Sequence, residues 1–164
     1  MAGAARRGVM HMVTGAFGAQ AAATTTVAVR IPAAAQHLAM VRGLTDTVCL
    51  VADFPLAAAA DIRLAINEIA TMLMIDAVPG SLLGCAFTYS ANRMVVRVDA
   101  IAEHEVEVSG DPLSWELVRM LTSSTSMSRD PFETDARGYP TAIEFSWERG
   151  ISDDTAVTGG WPIR

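Results

Sequence analysis

The sequence contains no lysine; all twelve of its Lys and Arg positions are arginine. That absence excludes any chemistry built on a lysine amine, including Schiff bases, Ser-Lys dyads and the lysine of a phosphate-binding loop. Cysteine and histidine are scarce too, at Cys49, Cys85, His11, His37 and His104. No two of these five have the close spacing of a zinc site, so no metal is expected. Two cysteines allow one bridge at most, and the expectation is a pair of reduced, half-buried thiols in the cytoplasm. Apolar runs stay well short of the ~18 residues that a membrane-spanning helix needs, so no membrane is expected. Positive charge is not in surplus. The formal net charge is −6, which argues against a nucleic-acid backbone as partner.

Apolar residues are plentiful, at 51% of the 164. That is ample for one domain with a true core. Residues 1–24 are rich in Gly and Ala. Their middle is broken by His11, Thr14, Gly15 and Gly18, so they read as a flexible tail rather than a cleavable signal. The domain is expected over 25–149, with a second loose tail at 150–164.

Within the domain the hydrophobic period changes along the chain. "TTVAVRI" (25–31) alternates and is rich in β-branched residues, as a strand should be. Leu38, Val41, Thr45 and Val48 recur at helical spacing between Ala34 and Val51. "DFPLAAAAD" interrupts that helix at Pro55 and opens a second, with a core stripe of Ile62, Ile66, Ile69 and Leu73, ending near Ala77 before "VPG". "LLGCAFTYS" and "MVVRVDAIA" flank "ANR" as a hairpin. "LSWELVRMLTS" (113–123) is a short amphipathic helix. An irregular strand is expected within "SSTSMSRDPFETDARGYP", and "TAIEFSWER" (141–149) alternates as the last strand. The order β-α-α-β-β-α-β-β does not fit repeating βαβ units. It fits an α+β fold: a two-layer sandwich with helices on one face of a mixed, largely antiparallel sheet.

This order and spacing, over about three-quarters of the chain, resembles the anti-sigma-factor serine kinases of the histidine-kinase-like ATPase fold. The resemblance rests on "RIPAAAQHLAMVRGL", "DIRLAINEIATMLMIDA", "MVVRVDAIAEH", "SWELVRMLTSSTSMS" and "YPTAIEFSWER". It implies a sigma factor and an anti-anti-sigma protein as partners, and a homodimer. It places Glu68 on the family's glutamate, a catalytic base or polarising group. The family's Mg²⁺-binding asparagine stands one helical turn later, because residues i and i+4 share a face and reach one nucleotide. Here that position is Met72, whose soft thioether does not suit Mg²⁺. Asn67 is ~100° away around the helix, and Asn92 falls in the hairpin turn. The D-x-G-x-G motif maps onto Asp99, Ala100, Ile101, Ala102 and Glu103. Its aspartate could bind an adenine amino group, but both glycines are gone. The lid stretch "EHEVEVSGDP" is acidic and would repel a triphosphate. Arg42, on the first helix, is similar in position to the family's partner-facing arginine.

The expectation is therefore an anti-sigma-factor-like regulator with a degenerate ATP site and no cofactor. ATP with Mg²⁺ is the cofactor to test, and the alternative is an active serine kinase using Glu68. Plainer roles stand beside these. Glu68 could be a helix-edge carboxylate facing solvent or Arg63, Asp99 a strand-end turn residue, and Arg42 a solvated arginine. Met40, Met72, Met74 and Met120 read as core filling, or as an adaptable binding surface. Trp115 and Trp147 read as core or rim.

Overall fold

The computed structural model describes residues 24–105 and 112–149. The two tails expected at 1–24 and 150–164, apart from Thr24, and most of the acidic lid stretch lie outside them. Five strands, β1 (Thr25–Pro32), β2 (Leu82–Tyr89), β3 (Arg93–Ala102), β4 (Ser124–Arg129) and β5 (Tyr139–Glu148), form one sheet in the order β1-β2-β3-β5-β4. Three helices, α1 (Leu38–Val51), α2 (Leu56–Ile75) and α3 (Pro112–Leu121), supply the second layer. The two-layer α+β sandwich is as expected, but every strand pairing is antiparallel, so the sheet is not mixed. Connectivity explains this. With two helices between β1 and β2 the chain reverses three times, so β2 returns opposite to β1. The single helix between β3 and β4 would leave those two strands parallel, but β5 inserts between them.

The strands form where side chains alternate. In β3, Met94, Val96, Val98, Ala100 and Ala102 are buried, while Arg93, Val95, Arg97, Asp99 and Ile101 are not. One face therefore meets the helices and the other is open. α2 lies across the sheet with Ala58, Ile62, Ala65, Ile66, Ile69, Ala70 and Leu73 buried, a stripe that recurs every three or four residues. Neither α1 nor α2 has a side-chain N-cap. Their stability thus rests on packing, which is the usual case for helices in proteins. Residues 35–37 form a short 3₁₀ turn ahead of α1.

Cys49 on α1 and Cys85 on β2 are free and fully buried rather than half-buried. The methionines divide: Met72 and Met74 pack against the core, whereas Met40 and Met120 are exposed. Trp115 and Trp147 lie at the edge of the core. The α1–α2 turn is tied to the end of β5. Arg149 donates to the Asp53 carbonyl at 2.6 Å and lies 5.7 Å over the Phe54 ring, which meets Trp147 edge-on. At the far end of α2, His104 Nδ1 is 2.7 Å from Asp76 Oδ1, and Glu103 N–H donates to the Asp76 carbonyl. Among the described residues no helix is long and apolar enough to cross a membrane.

Candidate functional site

α2 holds Glu68 between Ile66 and Ile69, both fully buried, so its side chain leaves at the margin of the core stripe and is half-buried. Both carboxylate oxygens have partners. Ser114 Oγ on α3 donates to Oε2 at 3.0 Å, and Asn67 Nδ2 approaches Oε1 at 3.4 Å. Arg42 Nη1 on α1 donates to Asn67 Oδ1 at 2.9 Å. The result is a polar relay, Arg42–Asn67–Glu68–Ser114, that joins all three helices. Arg63, considered above as a partner for Glu68, instead meets Asp46 at 3.4 Å.

The structure thus brings Glu68 and Arg42 into one network and shows two members, Asn67 and Ser114, that the motif spacing did not mark. Asn67 sits one residue from Glu68, too far around the helix to replace an i+4 ligand. Its amide is nonetheless long enough to reach both neighbours. Ser114 is 46 residues away from Glu68, and no local pattern links them.

Met72 is directed to the core, not to a polar pocket. Asp99 does not join the site. It lies within β3 rather than in a turn, level with Gly84 and Ala142, on the sheet face turned away from the helices. There it pairs with Arg30 at 3.3 Å. Gly84 makes room for this pair, because a Cβ at that position would stand 2.6 Å from Asp99 Oδ1. The helix-facing positions beside Asp99 are the apolar Val98 and Ala100. Glu68 and Asp99 are therefore separated by the sheet itself.

For Mg²⁺ the donors beside Glu68 are a poor set. The ion takes six oxygens in near-octahedral order. The helix turn offers one carboxylate already bonded to a serine, an amide oxygen bonded to arginine, and a thioether. Among the described residues no group of three or more His, Cys, Asp or Glu could hold a metal. The thiols are not reactive groups either. Burial, then Asp46, raises the Cys49 thiol from 9.0 to about 11; burial, then Asp99, raises that of Cys85 to about 12. The hydrogen bond that His104 donates to the Asp76 carboxylate raises the histidine above its ordinary value.

Fold and site together define an α+β sandwich whose helical layer is cross-linked around one half-buried carboxylate, with an arginine at its outer end. The chain is similar to the anti-sigma-F factor RsbW of Mycobacterium tuberculosis, in strains CDC 1551 / Oshkosh and ATCC 25618 / H37Rv. Each is 25% identical over 126 residues, covering 77% of this chain and 75% of the relative. No family model matches the chain.

Proposed function

We propose that this protein is an anti-sigma-factor-like regulator. It sequesters a sigma factor, yields it when an anti-anti-sigma protein competes, and acts by occupancy without phosphoryl transfer. The observation that carries this reading is the likeness to an anti-sigma-F factor across 77% of the chain. The chemistry of the site supports its second half. Phosphoryl transfer is achieved by positioning and by charge neutralisation through metal and backbone. Here Met72 stands at the metal-ligand position, Asp99 is on the far face, and Glu68 is engaged by Ser114. Arg42 on α1 is exposed, with exposed Met40 nearby in the same helix. Arginine and methionine suit a protein-binding face. On this reading the protein works in the cytoplasm as a homodimer.

The test is co-purification with candidate sigma factors, and relief of transcription block by the antagonist. Arg42→Glu should weaken sigma binding at least tenfold. Calorimetry with Mg²⁺ and ATP should show no binding below millimolar concentration; tight binding would overturn the occupancy-only mechanism. One observation favours a kinase instead: Glu68 accepts from a hydroxyl, which is the contact a base would make with a serine substrate. Labelled phosphate reaching an anti-anti-sigma protein, and lost in Glu68→Ala, would establish that reading.

A further inference from the structure

The sheet face turned away from Glu68 carries a cleft of about 670 Å³, within the size range of small-molecule sites. Its floor includes Arg97 and the Arg30–Asp99 pair; its walls are the 78–82 turn and the 130–137 loop between β4 and β5. The lining is divided by charge. Arg97 and Arg137 make no ion pair among the described residues, and neither do Asp130, Glu133 and Asp135 on the loop. A bare basic pocket would suit phosphate. Here three carboxylates in the loop would repel it, and the arrangement instead matches a ligand with charge of both signs.

Three further features set this region apart from an ordinary solvated surface. Ser81, in the wall, has a buried Oγ with no hydrogen-bond partner. Arg137 holds φ at 54°, a left-handed conformation uncommon for a residue with a side chain. Gly138 closes the loop against Ala102, Ile101 and Val78 so tightly that no side chain fits there. A buried unsatisfied hydroxyl and an unfavourable backbone conformation each cost stability, and such features cluster where a ligand is held.

We propose that this cleft binds a small dipolar ligand, an amino acid or short peptide, with its carboxylate on Arg97 and Arg137 and its cationic end toward Asp130, Glu133 and Asp135. The guanidinium fork suits a carboxylate, which it can bind through two parallel hydrogen bonds. The proposal does not rest on sigma-factor binding, because the sheet separates the cleft from Glu68. The experiment is a titration of the ¹⁵N-labelled full chain, followed by NMR. The probes are each of the twenty amino acids, the dipeptide lysyl-glutamate, sodium acetate and inorganic phosphate. At least one dipolar probe should give saturable shifts in β3 and the 130–137 loop. Arg97→Gln and Asp135→Asn should each weaken that binding by about tenfold while leaving the rest of the spectrum in place. Absence of saturation below about 10 mM by every dipolar probe would overturn the proposal. So would equal binding of acetate or phosphate, or indifference to both substitutions.

Discussion

The same substitution, glycine to alanine, should have opposite effects at two places in this chain. At Gly138 an added Cβ would meet the carbonyl oxygen of Ala102, the Ile101 Cγ2 at 2.7 Å and the Val78 Cγ2 at 2.8 Å. The first of these is backbone inside β3, so no rotamer change relieves it. Either the 130–138 loop must leave the end of β3 or the strand must bend. Overpacking of this kind costs about 1–3 kcal/mol, more when backbone is the obstacle. We expect about 3 kcal/mol, which for a chain of this length lowers Tm by roughly 6–12 °C. At Gly43, on the exposed side of α1, nothing stands within 4 Å of the added Cβ. Alanine there removes the entropic penalty of a mid-helix glycine and should stabilise by about 0.4–1 kcal/mol. Calorimetric and urea unfolding of Gly138→Ala, Gly43→Ala and the double variant measure both. The sites are far apart in contact terms, so the effects should add within about 0.5 kcal/mol. A neutral Gly138→Ala would show that the loop does not pack as described. A destabilising Gly43→Ala would show that α1 is not a free-standing helix surface at that position.

Three other outcomes are expected. Ser114→Ala removes a hydrogen bond to a half-buried carboxylate and should cost about 1–2 kcal/mol in urea unfolding, with faster amide exchange in α3; unchanged exchange would mean the relay does not hold that helix. Cys49 and Cys85 should resist thiol reagents at pH 8 in the native protein and react once it is unfolded. Because folding raises both values, unfolded thiols lose protons first, so stability should fall as pH rises above about 9 toward the native values of about 11 and about 12. His104 should titrate above the ordinary histidine value by NMR and move back toward it in Asp76→Asn. The contact with Asp76 therefore contributes fully below about pH 6.5 and fades as pH rises through the raised native value.

Much of the architecture was legible because it follows from local periodicity. The Ile62, Ile66, Ile69 and Leu73 stripe and the β2–β3 hairpin needed only the helical and strand repeats. The face occupied by Asp99 was also written in the chain. It shares strand parity with Arg97, not with the buried Val96 and Val98, and a period-two reading assigns it to the open side. A motif alignment pays no attention to parity, so it grouped Asp99 with Glu68. Asn67 and Ser114 were of another kind. Their roles depend on α1 and α3 converging over one turn of α2, a tertiary fact with no sequence signature. The same holds for the cleft, which brings Arg97 of β3 together with Asp130, Glu133, Asp135 and Arg137 of a later loop.

The position of β5 has a consequence for how the molecule is made. This strand lies between β3 and β4, and among the described residues β4 has no other neighbour. Until residue 148 has emerged from the ribosome, β3 presents one unpaired edge and β4 presents two. Such edges invite pairing with other chains. Nascent chains halted before residue 139 should therefore associate or be degraded, whereas those released after 149 should close their own sheet.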